Sequence, residues 1–259
     1  MSAVKPVQEA AIGQYAKQLR LPTLGGQFAL LAAQAVKTKQ SHLSYLEALL
    51  EGELEERGRK AMALRMQEAR FPLMKTLEGF DFQSAPHISE VLLRNLSEGG
   101  YLEHKEPIIL LGDAGTGKTH LATGLAVAAC RQRKRVRFTT AAEMVTELAE
   151  AQNNSELSKV RNRWTRYDLI VIDELGYVVM PDSAAELLFQ VIAGRAERAA
   201  VIVTTNLPFS EWTTKIPNAR LCKAMLDRLT YQAHIIDTGK DSYRFVQTLK
   251  KQQAKGAKA

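Results

Sequence analysis

The sequence has few of the residues that build disulfide-linked or zinc-bound scaffolds. It contains two cysteines, Cys130 and Cys222, and neither belongs to a CxxC pair or a histidine-rich cluster. This spacing predicts no disulfide framework and no zinc site. We therefore expect both residues to be buried thiols of a protein in the reducing cytoplasm.

Long apolar stretches are also missing. No run approaches the roughly 18 apolar residues of a membrane-spanning helix. The first ten residues, MSAVKPVQEA, lack the apolar core of a signal peptide. With 259 residues, 46% of them hydrophobic, the chain is long enough for one well-filled α/β domain and a smaller accessory region. The sequence thus predicts a soluble, cytoplasmic protein without a membrane partner.

Positive charge exceeds negative charge by seven at pH 7, which favours an acidic partner. The excess is concentrated in two clusters and in residues 240–259, a segment that is either a frayed tail or an arm that contacts phosphates. The clusters comprise Arg131, Arg133, Lys134, Arg135 and Arg137, and then Lys159, Arg161, Arg163 and Arg166. Each cluster is either a nucleic-acid contact or a solvated helix face. We take the second cluster, which begins at Lys159, as the candidate DNA-binding residues.

The first 75 residues carry helical periodicity and no convincing strand. Five leucines recur at helical spacing: Leu43, Leu46, Leu49, Leu50 and Leu54. Acidic residues stand four positions before basic ones at Glu53 and Arg57, Glu55 and Arg59, and Glu56 and Lys60. We predict one helix of about 25 residues within an all-α N-terminal domain, residues 1–75, that contacts DNA, a partner or another subunit; a merely solvated face is the alternative.

Beyond a linker near residue 75, short apolar runs alternate with helical patterns. The predicted strands cover residues 107–111, 135–140, 169–173, 200–206 and 234–238. Apolar strands separated by helices predict an α/β fold with a parallel sheet covered on both faces. We assign this domain to residues 76–249 and a basic flexible tail to residues 250–259.

A loop motif lies between the first predicted strand and a helical run. Residues 112–119 have the sequence GDAGTGKT and match the phosphate-binding P-loop, G-x-x-x-x-G-K-[ST]. Lys118 would reach the β- and γ-phosphates of ATP, and the Thr119 hydroxyl would bind Mg²⁺. The predicted nucleotide-binding residues are Gly112, Asp113, Ala114, Gly115, Thr116, Gly117, Lys118, Thr119 and His120.

Two further predicted strands end in polar residues. Asp173 closes the run LIVID and would hold the Mg²⁺ through its waters, and Glu174 follows as the candidate general base. Asn206 ends the next strand, where open parallel sheets bind ligands, and would orient the attacking water. Acids often end buried strands, however, and an asparagine before Leu207-Pro208 also suits a turn.

The sequence resembles the IstB family of AAA+ ATPases, which are encoded with transposases in insertion sequences and are close kin of the DnaC helicase loaders. The segments GDAGTGKTHLA, LIVIDELGY, TTNLPFSEW, MLDRL and DSYRF occur in the same order and spacing, and the resemblance covers about residues 10–246. It implies the additional-strand type of P-loop NTPase. The two helices that fit within residues 141–166 resemble the initiator and helicase-loader branch.

The resemblance also implies roles for individual residues. Asn206 would be the sensor-I residue, Arg228 an arginine finger donated to a neighbouring subunit, and Arg244 the sensor-II arginine. Phe82, with Phe80, would lie near the adenine, although ordinary core packing explains these rings equally well. Local structural roles for the two arginines also stay open.

These features lead to an expected function. We expect an ATP-dependent regulator that oligomerises on duplex DNA with little sequence preference and assists a partner transposase. A DnaC-type helicase loader is the first alternative, since its ATPase module would look nearly the same. A small-molecule kinase and a nucleotide-gated scaffold are the others; the kinase does not explain Glu174.

Overall fold

The structure, a computed structural model, describes residues 4–177 and 179–243. The chain divides into two compact units, residues 1–64 and 65–259. The division after residue 64 comes earlier in the chain than the boundary that we predicted near residue 75. Arg244 and the predicted tail, residues 250–259, lie outside the described residues.

The N-terminal unit is helical. It contains α1 (Val4–Gln18), α2 (Pro22–Thr38) and most of α3 (His42–Ala69). At 28 residues, α3 is the long helix that the charge spacing predicts. Two of the three predicted ion pairs form, Glu53–Arg57 at 3.0 Å and Glu56–Lys60 at 3.2 Å. The third prediction was wrong, because Arg59 pairs with Glu56, which lies three residues earlier on the same helix face.

Glu53 has a second role in this unit. It is buried, and its Oε2 accepts hydrogen bonds from the backbone N–H groups of Thr23 and Leu24, at 2.9 and 3.0 Å. These groups lie in the first turn of α2, where Leu21 provides no side-chain cap. The unpaired N–H groups of a helix start need an acceptor, so Glu53 caps α2 from the neighbouring helix.

The C-terminal unit is built on five parallel strands in the order β2-β3-β4-β1-β5. The strands are β1 (Ile108–Leu111), β2 (Val136–Thr140), β3 (Leu169–Asp173), β4 (Ala200–Thr205) and β5 (His234–Asp237). The helices are α4 (Glu90–Ser97), α5 (Gly100–His104), α6 (Lys118–Arg131), α7 (Ala141–Asn153), α8 (Leu157–Trp164), α9 (Asp182–Arg195) and α10 (Ala219–Thr230). Short 3-10 helices cover Leu77–Gly79, Phe82–Ser84 and Phe209–Thr214.

Helices cover both faces of this sheet. Alternate strand residues enter different cores: Ile108 and Leu110 pack with Leu121 of α6, whereas Ile109 packs in a second core with residues of α7, α9 and α10. This alternation follows from the two-residue period of a strand. The predicted fold class is therefore confirmed, as are the five strands to within one residue at each end.

Other predictions about this unit also hold. The two helices expected between β2 and β3 are α7 and α8, and Trp164 at the end of α8 is buried. Cys130 and Cys222 are free and buried. Among the described residues, no helix has both the length and the apolar character needed to cross a membrane.

Candidate nucleotide site

The predicted phosphate loop lies at the carboxyl edge of the sheet. β1 ends at Leu111, and α6 begins at Lys118 with Gly117 as its N-cap. No side chain caps this helix. Its first-turn N–H groups and the positive end of its dipole therefore face the loop, which is the arrangement that binds phosphate.

Two glycines of the loop are required by their surroundings. Gly115 and Gly117 have φ angles of 87° and 99°, which side chains other than glycine rarely adopt. A Cβ at Gly117 would lie 2.7 Å from the Phe80 ring, and one at Gly115 would collide with the Ser242 hydroxyl. The loop is thus closely approached by one residue from early in the sequence of the C-terminal unit and by one from late in it, Phe80 and Ser242.

Residues 238–243, which follow β5, are hydrogen-bonded to the phosphate loop. Gly239 O accepts from Asp113 N at 2.9 Å, and Tyr243 N donates to Gly115 O at 3.1 Å. The resemblance to a sensor-II motif predicted a role for Arg244, just beyond these residues, but no signal in the sequence predicted their contact with the phosphate loop.

Lys118 and Thr119 follow the loop at the start of α6. The Lys118 Nζ donates to the backbone oxygens of Gly112 and Asp113, at 2.6 and 2.7 Å. The ammonium group therefore lies against the loop. The Thr119 Oγ1 lies 3.0 and 3.2 Å from the two carboxylate oxygens of Asp173, which is buried at the end of β3.

This pair suits Mg²⁺ chemically. A hydroxyl and a carboxylate are the hard oxygen ligands that Mg²⁺ prefers, and the ion usually takes its remaining ligands from water and substrate phosphates. Among the described residues, neither this site nor any other contains a group of three or more His, Cys, Asp and Glu side chains that could hold a metal ion. Thr119 and Asp173 are candidate ligands because of the oxygen atoms that they offer.

Glu174 stands next to this pair in an unusual conformation. Its φ is 60°, a left-handed value that is uncommon for a side chain of this kind, and it is exposed. Its backbone N donates to the Thr204 Oγ1 at 2.9 Å, and Leu175 N donates to Thr204 O at 2.9 Å. Strained residues of this kind concentrate at functional sites.

Asn206 follows β4 at the same edge. Its Oδ1 is buried and has no hydrogen-bond partner among the described residues. The turn beyond it is closed by Thr205, whose Oγ1 accepts from Leu207 N at 3.2 Å. An unpaired buried oxygen is costly and calls for an explanation, and a bound water or phosphate group would supply one.

Phe80, Phe82 and His120 form an aromatic group beside the loop. The centroid of the Phe80 ring lies 4.8 Å from that of Phe82 and 5.2 Å from that of His120. The His120 Nε2 lies 2.9 Å from Thr76 O, and burial lowers the pKa of this histidine. Both phenylalanines also pack against the hydrophobic core. Core packing is thus observed, and the proximity of Phe80 to Gly117 leaves the adenine contact open.

Arg228 lies on the last turn of α10. Its guanidinium stacks over the Phe189 ring at 4.9 Å and donates to Ala224 O at 2.9 Å. Within one chain it therefore has a local packing role. Arg244, the other predicted arginine, lies outside the described residues.

The second basic cluster lies on and just after α8. All four side chains are exposed. Lys159 pairs with Glu156 at 3.1 Å, Arg163 pairs with Glu147 of α7, and Arg161 donates to Gln190 of α9. Exposed pairs of this kind are weak, so the cluster can exchange them for phosphate contacts.

In the first cluster, three arginines already have partners. Arg131 pairs with Glu78 at 2.9 Å and Arg135 with Asp168 at 3.3 Å. Arg137 is half-buried, with its guanidinium 5.9 Å from the centre of the Trp164 ring. This cluster is therefore partly structural, which leaves the cluster around α8 as the better candidate for a DNA contact.

Solved structures share the fold of the C-terminal unit. The AMPPCP-bound DnaA of Aquifex aeolicus aligns with a TM-score of 0.54 and 18% identity over 65% of this chain and 51% of that one. The DnaC helicase loader aligns with a TM-score of 0.52 and 15% identity, over 62% and 95%. Fold and site together define an AAA+ P-loop protein.

Sequence comparison then gives the family. The model for the IstB-like ATP binding protein family matches residues 14–253, and the chain belongs to this family. It is 33% identical to an insertion sequence IS5376 ATP-binding protein of Geobacillus stearothermophilus, over 90% of this chain and 93% of that one. An insertion sequence ATP-binding protein of Sinorhizobium fredii is 32% identical, over 92% and 80%. The resemblance stated from the motifs is confirmed.

Proposed function

We propose that the protein hydrolyses ATP at this site and that ATP controls its assembly on duplex DNA, where it assists a transposase. The observation that carries the proposal is the position of Glu174, an exposed carboxylate directly after the buried Asp173, whose own carboxylate contacts the Thr119 hydroxyl at the start of α6. A carboxylate at this position favours water as the nucleophile.

The residues divide the work of hydrolysis. The loop N–H groups and Lys118 would bind the phosphates, and Thr119 and Asp173 would provide oxygen ligands. A bound Mg²⁺ would supply the charge that neutralises the phosphate oxygens. Glu174 would accept a proton from the water that attacks the γ-phosphorus, while the bond to the ADP oxygen breaks. Asn206 would hold that water in line.

The DNA part of the proposal depends on charge and kinship. The exposed basic residues around α8 offer phosphate contacts, which carry no sequence information and weaken steeply with salt. The relatives at 32–33% identity are named as proteins of insertion sequences. The likeness to the DnaC loader, at 15% identity, concerns the fold alone. We therefore favour a transposition partner over a replicative helicase.

The proposed location is the cytoplasm. Cys130 and Cys222 are free, buried thiols, as expected for a protein in a reducing compartment.

Two variants test the link between ATP and assembly. Lys118→Ala should prevent ATP-dependent assembly on DNA, and Glu174→Gln should bind ATP, release no phosphate and trap the assembled state. Sedimentation and electron microscopy with ATP, with and without duplex DNA, would measure both. Identical behaviour of the two variants, or binding of DNA only as a monomer, would refute the proposal. Phosphate release without an added acceptor excludes a kinase.

A charge-matched pair tests the DNA surface. Lys159→Gln with Arg166→Gln removes two positive charges, one on α8 and one just after it, and Arg198→Gln with Lys223→Gln removes two from other exposed positions. We expect weaker DNA binding and a shallower salt dependence only for the first pair. Equal losses for both pairs would mean that net charge, rather than this surface, determines binding.

A further inference from the structure

We infer that Thr204 is a positioning residue for hydrolysis, because its single hydroxyl group holds both acidic residues of the site. The inference rests on the proposed ATPase activity. Thr204 lies on β4, which neither the P-loop nor the acidic motif includes. It is 1% exposed, so water does not compete for its hydrogen bonds.

The hydroxyl joins two elements of the site. It donates to Asp173 Oδ1 and accepts from Glu174 N at 2.9 Å. A hydroxyl has one proton to donate and two lone pairs that accept, so both bonds can form at once. Thr119 Oγ1 contacts the same Asp173 carboxylate at 3.0 and 3.2 Å. A continuous hydrogen-bonded chain thus runs from α6 through Asp173 and Thr204 to Glu174.

The backbone of Glu174 gives this contact its importance. A left-handed glutamate persists only where its surroundings hold it, and its φ is 60°. Thr204 holds the turn on both sides, since its hydroxyl accepts from Glu174 N and its carbonyl oxygen accepts from Leu175 N. The direction of the Glu174 carboxylate therefore depends on Thr204.

Removal of the hydroxyl should affect turnover more than binding. Thr204→Val keeps the branched shape but leaves Glu174 N without its acceptor and Asp173 without one donor. Because Thr204 is not in the phosphate loop, we expect the Kd and KM for ATP to change by less than about threefold. A misplaced catalytic group costs on the order of 100-fold in rate, so kcat should fall by about 10- to 100-fold. Thr204→Ser, which restores the oxygen, should recover most of it.

The test measures ATP turnover by phosphate release and ATP binding with a fluorescent analogue. Thr123→Val is the matched control, because Thr123 is also 1% exposed and its hydroxyl donates to Thr119 O within α6. We expect it to hydrolyse ATP like the natural chain. If Thr204→Val does not fold, comparison of Thr204→Ser with Thr204→Ala isolates the same oxygen.

The outcomes separate this inference from the proposed function. If the natural chain releases no phosphate, the proposed ATPase activity is wrong. If it does and Thr204→Val has an unchanged kcat, only the role of Thr204 is wrong. A loss confined to KM, or a serine variant as slow as the alanine variant, would also overturn the role.

Discussion

The hydroxyl oxygens of Thr116 and Thr238 lie 2.6 Å apart although 122 residues separate them in the chain. Both side chains are buried. Each hydroxyl has one proton, so one threonine donates to the other, and the threonine that accepts donates its own proton to a backbone oxygen. That oxygen is Asp113 O, 2.9 Å from Thr116 Oγ1, or Leu111 O, 3.0 Å from Thr238 Oγ1. This contact joins the phosphate loop to the chain beyond β5.

We predict that Thr238→Val weakens ATP binding without a comparable loss in kcat. Loss of one buried hydrogen bond costs about 1 kcal/mol, which corresponds to roughly a fivefold higher Kd. A double-mutant cycle with Thr116→Val checks the mechanism by titration with ATP. The two losses should be less than additive, because each change breaks the same contact; strict additivity would show that the hydroxyls act separately.

We predict that Asn206→Ala slows turnover and stabilises the protein without nucleotide. The variant should lose about 100-fold in kcat if Asn206 holds the attacking water. It should also raise the Tm of the C-terminal unit by about 2–4 °C, since it removes a buried oxygen that has no partner. Calorimetry and phosphate release test the two effects. A lower Tm with unchanged kcat would instead indicate a structural asparagine.

We predict that Arg228 acts on the nucleotide of a neighbouring subunit. Arg228→Ala alone should lose about a thousandfold in kcat, as expected for an arginine finger. When it is mixed with Glu174→Gln, whose subunits still carry Arg228, phosphate release should recover. Arg220→Ala, at an exposed position on the first turn of α10, is the matched control.

A packing role for Arg228 gives different results. It rests against Phe189, so Phe189→Leu should then mimic Arg228→Ala. Mixing with Glu174→Gln would not restore activity in that case. Two results together would support action between subunits. The mixture of Arg228→Ala with Glu174→Gln should recover phosphate release, and Phe189→Leu alone should have only a small effect.

We predict a pH-dependent contribution of Glu53 to the N-terminal unit. Burial raises the pKa of Glu53, but hydrogen bonds from Leu24, Arg57 and Thr23 outweigh it and lower the pKa below the ordinary 4.5. A lowered pKa means that the charged form stabilises the fold above pH 4.5 and that this stabilisation is lost as the pH falls through the lowered pKa.

Amide hydrogen exchange measures this effect. At neutral pH, Glu53→Gln should speed exchange at Thr23 and Leu24 several-fold, because the neutral amide is a weaker acceptor than the carboxylate. The difference from the natural chain should shrink as the pH falls below 4.5. Glu55→Gln, exposed on the same helix, should have no effect. An equal effect of both changes would argue against the cap.

The strands and the central site residues were predictable because their signals are local. An apolar run ending in Asp173 and Glu174, or a glycine-rich loop before a helix, is visible in a few consecutive residues. Thr204 and Thr238 were not predictable in this way, because their roles depend on which strands lie side by side. Glu53 was predicted as half of a surface ion pair, and its cap on α2 requires the packing of two helices.

The supports of the phosphate loop also bear on how the chain can be divided. Phe80 lies against the loop before the sheet begins, and Thr238 and Tyr243 contact it after the last strand. A proteolytic fragment that retained residues 108–237, and with them the whole P-loop and both acids, would lack all three. Such a fragment would keep the P-loop, both acids and Asn206 in its sequence but lose the contacts that Phe80, Thr238 and Tyr243 make with the loop. The smallest piece able to bind ATP must therefore extend beyond the sheet at both ends.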